Sequence, residues 1–207
     1  MQAEDVVKQI YKKLNEEFKK MGHVNIVISG KTGVGKSTLV NAIFGKKIAE
    51  TGTGRPITQE IKEITTTDYP LRLYDTVGLE LSEERQEKVK NDIIKLIKDA
   101  RLSNDSDKLI HCIWYCINAN SNRIEDEEVK FIEQLSTESD VPVIIILTQS
   151  YGINAKDLQK YIDNMNLHIK RCFCVLACDY QVDEEYCKKA YGCDKLVEYV
   201  IEILPET

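Results

Sequence analysis

The chain alternates short apolar runs with longer stretches whose apolar residues recur every three or four positions. The runs are Val24–Ser29, Leu109–Ile117, Val141–Thr148 and Arg171–Ala177. Runs of this length, bounded by turn residues, are the pattern of strands buried on both faces. Two more strands are predicted near 60–67 and 70–75. The helical period covers 4–20, Lys36–Phe44, Ser82–Leu102, Arg123–Leu135, Ala155–His168 and Leu196–Leu204. A more irregular helical stretch is expected from Asp183 onward. Gly45 stops the second helix. Residues 46–59 hold three threonines, two glycines and a proline, and read as a loop. Strands alternating with helices require crossover connections, hence a mainly parallel sheet with helices on both faces.

The helix over 4–20 carries Val7, Ile10, Leu14, Phe18 and Met21 on one stripe. That stripe packs on its own domain or on another chain. The expected division is an N-terminal helix, 1–21, followed by one domain, 22–207. A length of 207 residues suits one sizeable core. With a net charge of −6, there is no electrostatic reason to expect direct contact with nucleic acid. The N-terminus has no apolar signal core, and the apolar runs are too short to span a bilayer. A cytoplasmic location without a transmembrane segment is therefore expected. The seven cysteines read as free thiols in a reducing compartment. Cys172 and Cys174 share a strand face and could share a metal, but no second pair at zinc-site spacing accompanies them.

The segment Gly30-Lys31-Thr32-Gly33-Val34-Gly35-Lys36-Ser37 fits G-x-x-x-x-G-K-[ST], between an apolar strand and an amphipathic helix. Its glycines let the backbone turn its N–H groups inward and approach a polyphosphate closely. The following helix, through Thr38, presents its positive end to the phosphates. The Lys36 ammonium neutralises phosphate oxygens, and the Ser37 hydroxyl can ligate Mg²⁺. Further on, Asp75-Thr76-Val77-Gly78 ends a strand as D-x-x-G. Asp75 can hold Mg²⁺ through water, and the Gly78 N–H can contact a γ-phosphate.

These two motifs and the intervening threonine loop resemble the first three motifs of the GTPase superfamily. Residues 25–45 resemble its TRAFAC class, which includes Era-like, septin, AIG-type and immunity-related (dynamin-like) GTPases. The resemblance spans roughly residues 22–204. It implies a three-layer P-loop NTPase fold, the G domain, with a mainly parallel six-stranded sheet, helices on both faces and an extra N-terminal helix. It implies GTP or GDP with Mg²⁺ as ligands. Gly30 to Thr38 would bind phosphate. Ser37, Thr58 and Asp75 would serve the metal, and Thr51 and Thr53 are alternatives to Thr58. Lys36, Thr58 and Gly78 would act in hydrolysis. Arg55 lies at the spacing where Gα subunits carry an arginine finger; a solvated loop arginine is the other reading.

At the base, Thr148 and Gln149 fit the family's N/T-K-x-D motif, while Tyr151 stands where aspartate is expected. Ala177 and Cys178 match the S-A-x loop. Leu79 follows D-x-x-G where Ras-like enzymes orient water with glutamine, which implies slow turnover. Gly33 occupies the position where some members recruit potassium through asparagine. The expected function is a GTP-dependent switch with slow, Mg²⁺-dependent hydrolysis. The alternatives are an ATPase, or a module that dimerises through the nucleotide face with negligible hydrolysis.

Overall fold

The computed structural model describes residues 23–44, 55–65, 71–78 and 83–204. The helix expected over 4–20, and with it the proposed division at residue 22, lies outside the described residues, as do Thr51, Thr53 and Leu79. The main sheet contains β1 (Val24–Gly30), β2 (Arg55–Pro56), β3 (Ile61–Thr65), β4 (Leu71–Thr76), β5 (Ile110–Asn118), β6 (Val143–Thr148) and β7 (Arg171–Cys174). Their order is β2-β3-β4-β1-β5-β6-β7. From β4 through β7 neighbouring strands are parallel, and β2-β3-β4 is an antiparallel flank. The expected six strands are all present, and the two-residue β2 extends the edge.

Five helices are described: α1 (Lys36–Phe44), α2 (Glu83–Leu102), α3 (Asp126–Ser139), α4 (Asn154–Asn164) and α5 (Cys193–Glu202). The pleat of β1, β5 and β6 divides their side chains between two cores. Ile26, Ile28, Trp114, Ile144 and Ile146 face Leu39, Ile43, Leu196 and Val200 of α1 and α5. Val27, Ile113, Tyr115 and Ile145 face Ile93, Ile97, Ile132, Leu135 and Ile162 of α2, α3 and α4. Burial on both faces explains why these strands read as unbroken apolar runs.

Three expectations change most. Helix α3 begins at Asp126 rather than Arg123, because Asn122 is left-handed (φ 56°) and Glu125 forms a capping box with Glu128. Helix α4 ends at Asn164 rather than His168, and Asn166 then turns left-handed (φ 52°). The irregular helix from Asp183 is replaced by a hairpin, β8 (Tyr180–Gln181) with β9 (Cys187–Lys188). The Asp183 carboxylate accepts the N–H groups of Glu185 (2.9 Å) and Tyr186 (2.8 Å), which closes the turn.

At the N-terminal edge of the parallel strands lies a polar brace. The Asn25 amide donates to the carbonyls of Asp107 (2.8 Å) and Leu109 (2.9 Å). Arg72 pairs with Asp107 at 3.1 Å. Both the main-chain N–H and the ring Nδ1 of His23 lie 2.7 Å from Asp107 Oδ1. Burial alone would raise the Asp107 carboxyl, but the His23 and Arg72 hydrogen bonds outweigh it and hold the pKa at about 2.

Candidate functional site

The opposite, C-terminal ends of β1 and β4 carry the two sequence motifs. Gly30 ends β1 at φ +134°, in register with Cys116 of β5, whose carbonyl a Cβ would strike. Glycine is therefore required both for backbone angle and for close strand approach. The chain then turns through Gly33 (φ +72°) and Gly35 (φ +98°) into α1. Lys36 folds back over this loop, its ammonium donating to the carbonyls of Gly30 (2.8 Å) and Lys31 (3.0 Å). Thr148 braces the loop from β6: its hydroxyl reaches the Val34 carbonyl and lies 3.0 Å from that of Ile117. Gln149 Nε2 donates to the Gly33 carbonyl at 3.3 Å.

The Lys31 side chain leaves the cradle. It pairs with Glu125 (2.6 Å) and Glu128 (3.3 Å) at the start of α3. Partial burial lowers its pKa, but the two carboxylates prevail and the net shift is upward. Lys31 thus contributes main chain to the loop while tying it to α3.

Thr32, Gly33, Gly35, Lys36, Ser37, Thr38, Asp75, Thr76, Val77 and Gly78 line one cavity of about 440 Å³. The close approach of its walls leaves Gly78 no room for a Cβ, which would strike the Thr32 hydroxyl. Asp75 Oδ1 is sealed from solvent and has no hydrogen-bond partner among the described residues. Burial pushes the Asp75 carboxyl up, opposed by Lys36 and Lys62. An orphaned carboxylate oxygen is expensive to bury. It fits a group brought in with a ligand. A hydroxyl and one carboxylate beside a phosphate cradle are the donor set of Mg²⁺, which retains waters and needs few protein ligands. No cluster of three or more His, Cys, Asp or Glu that could cage another metal occurs among the described residues. The seven cysteines are free thiols.

Thr58 is not brought into that cavity. It borders a neighbouring cleft with Glu60, Asp75 and Val77. Its hydroxyl accepts the N–H groups of Glu60 (3.0 Å) and Ile61 (3.1 Å), so it caps its own turn. The main chain of Arg55 pairs with Glu63 at the sheet edge. The same turn contains Glu60, a residue that sequence reasoning missed. Its side chain is 3% exposed and meets Arg85 (3.2 Å) and Lys88 (3.4 Å) of α2. Its carbonyl accepts the Val77 N–H at 3.0 Å. These partners lie 25 or more residues away from the carboxylate, so no local spacing signals the contact.

The loop expected to border the base follows β6. The Ser150 hydroxyl donates to the Leu147 carbonyl (2.6 Å), and the Tyr151 ring stacks on Tyr180. Ala177 and Cys178 follow Leu176, which is bridged to Tyr191. Cys178 is exposed. The Asp157 side chain is exposed on α4, 3.8 Å from Lys160.

Residues 25–149 match the family described as 50S ribosome-binding GTPase. The chain is 27% identical over 167 residues to cell division control protein 10 of Candida albicans, covering 69% of this chain and 46% of that protein. It is 30% identical over 175 residues to the tRNA modification GTPase MnmE of Wigglesworthia glossinidia brevipalpis, covering 73% of this chain and 37% of that protein. It therefore spans less than half the length of these relatives. Among solved structures, a probable GTP-binding protein engB aligns with a TM-score of 0.59 at 20% identity, covering 87% of this chain and 98% of that one. Toc33 from Arabidopsis thaliana, in complex with Mg²⁺ and GMPPNP, aligns with a TM-score of 0.58 at 15% identity, covering 97% and 91%. These two likenesses establish the fold. The matched family segment spans more than half of the chain and both phosphate-side motifs, so the chain belongs to the 50S ribosome-binding GTPase family, within the TRAFAC class of P-loop GTPases.

Proposed function

We propose that this domain binds GTP and GDP with Mg²⁺ and hydrolyses GTP slowly as a switch. The single observation that carries the reading is the unpartnered Asp75 oxygen in the cavity shared with Lys36 and Ser37. In this reading Gly30 to Thr38 cradle the phosphates and Lys36 exchanges its loop carbonyls for phosphate oxygens. Ser37 and Asp75 hold Mg²⁺, and Thr58 joins them when its turn opens. The chemistry supplied by bound Mg²⁺ is neutralisation of charge on the β- and γ-phosphate oxygens. In the same reading the Gly78 N–H contacts the γ-phosphate. Water attacks the γ-phosphorus as the bond to the bridging oxygen breaks, giving GDP and phosphate. Thr148, Gln149, Ala177 and Cys178 border the base. Leu79 cannot orient the attacking water by hydrogen bonding, and Arg55 is the cationic candidate for transition-state charge.

Switching is supported by Glu60, which joins the Thr58 turn to both Val77 and α2. Calorimetric titration with GDP, GTP and ATP, with and without Mg²⁺, tests the reading. Mg²⁺-dependent binding of guanine nucleotides that weakens at least tenfold in Lys36→Ala is expected. Undiminished affinity in that variant defeats the proposal.

A second reading is assembly through the nucleotide face. Its support is the apolar exposure beside the base-side loop: Ile153 is 88% exposed, Val182 51% and Tyr186 55%. A structurally similar solved chain is a dimerization-deficient mutant of Toc33. Light scattering with GDP and then with a non-hydrolysable GTP analogue tests it: a nucleotide-dependent doubling of mass is expected, and a mass indifferent to nucleotide rejects it.

A further inference from the structure

The loop after β6 is clamped by the segment that follows β7. The Ser150 N–H donates to the Val175 carbonyl at 3.1 Å. The Tyr191 hydroxyl donates to the Ser150 carbonyl at 2.7 Å, and the Lys188 ammonium to the Tyr151 carbonyl at 2.8 Å. The Tyr151 ring lies flat on Tyr180 of β8, with centroids 3.8 Å and planes 4° apart. Gln149, in the same loop, touches the phosphate loop at Gly33. In the nucleotide-binding reading above, the aromatic pair sits on the loop that runs from the phosphate cradle toward the base.

Guanine differs from hypoxanthine by its 2-amino group. Reading that group together with N1–H takes two acceptors side by side, which a carboxylate supplies with charge assistance. Three carboxylates near this loop have partners of their own. Asp179 takes the Lys189 ammonium (2.7 Å) and the Ala190 N–H (2.8 Å). Asp183 closes the hairpin turn, and Asp157 faces Lys160 on α4. Tyr151 offers a single phenol oxygen. Desolvation and the neighbouring Tyr180 hydroxyl both push its pKa up, so it stays neutral at physiological pH.

We propose that Tyr151 is the specificity-determining residue of the base site, and that the site accepts 6-oxopurine nucleotides without reading the 2-amino group. The proposal rests on the nucleotide-binding reading above. Affinity comes from the phosphate cradle and from stacking on the base face, both of which guanine and hypoxanthine nucleotides share. A site built to pair a polar substituent rejects the analogue that lacks it by large factors, and a site that leaves it unread does not.

The test is calorimetric titration of the whole chain with GDP and IDP in Mg²⁺, for the native protein, Tyr151→Asp and Tyr151→Asn. The native Kd values should agree within about threefold. Tyr151→Asp supplies the charged acceptor pair and should prefer GDP by about tenfold or more. Tyr151→Asn opens the same space without the charge and should remain below that. A native preference for GDP of tenfold or more overturns the proposal. If that preference disappears in Asp179→Ala, Asp179 is the reader instead, which also overturns it. Binding of neither GDP nor IDP by the native chain overturns the nucleotide reading itself, and this proposal with it. The native ratio decides the matter even if a Tyr151 variant fails to fold.

Discussion

Asp75 illustrates how a single residue trades stability for ligand binding. Its Oδ1 is buried without a partner, and its pKa is raised by burial, against Lys36 and Lys62. A group whose pKa rises on folding contributes stability that is fully present below its unfolded value, near 3.8, and lost as pH rises through the folded value. Ionisation of the Asp75 carboxyl therefore opposes folding. Asp75→Asn should raise the Tm of the nucleotide-free chain, with about 1 kcal/mol corresponding to roughly 2–4 °C for a domain of this size. The same variant should lose the Mg²⁺ dependence of GTP affinity. Thermal melts paired with titration check both, and a lowered Tm without nucleotide contradicts the account. The glycines of the loop make a second comparison. Gly30→Ala meets the Cys116 carbonyl as well as a positive φ, whereas the space around Gly33 is open. Urea melts should show a loss of about 2–4 kcal/mol at Gly30 and about 1–2 at Gly33.

The phosphate loop was legible in sequence because its chemistry is local: glycines, lysine and serine at fixed spacing within one strand-turn-helix unit. The strands were legible for a similar reason, since burial on both faces writes itself as a continuous apolar run. The hairpin at 180–188 was not. Its strands are two residues each, and its turn is fixed by Asp183 rather than by alternation of polar and apolar residues. Glu60 was equally hidden, because a polar residue in a loop gives no sign that it is buried against a helix formed 25 residues later. Its position suggests how elements communicate. One residue holds Val77 through its carbonyl and the N-terminal half of α2 through its carboxylate. In Glu60→Ala the half-exposed Arg85 and Lys88 can resolvate, so the expected loss is modest, about 1–2 kcal/mol. Amide exchange should quicken at Val77 and through the first turns of α2 while that of α3 is unchanged. Uniform acceleration across the domain would mean that Glu60 is only a stability residue.

At the scale of the whole molecule, the parallel strands run from a brace to a cleft. Asn25 of β1 lies in register with Arg72 of β4 at the braced edge, and Ile28 with Asp75 near the cleft. Between them lie buried Ile26 and Val27 of β1 and Leu73 and Tyr74 of β4, and among the described residues the Asp107 brace and the Lys36 cleft have no hydrogen-bond partner in common. Asp107 has a folded pKa of about 2 against an ordinary value of 3.8. A depressed carboxylate contributes stability that is present above its unfolded pKa and lost as pH falls through the folded value. The Tm of the native chain should therefore decline between about pH 4 and pH 2 more steeply than that of Asp107→Asn, whose side chain does not titrate. Asp107 is part-exposed, so screening keeps the effect small relative to the loss of a core residue. Separation of the two ends adds a stronger requirement. Distant sites without shared partners act additively, so Asp107→Asn should lower stability at neutral pH yet leave the Kd for Mg²⁺-GDP within about twofold of native. It should also leave intact the ligand-induced rise in stability, roughly 2.7 kcal/mol when ligand is present at a hundredfold of its Kd. A large change in nucleotide affinity on losing the Asp107 charge would mean that the brace and the cleft are mechanically coupled through the sheet.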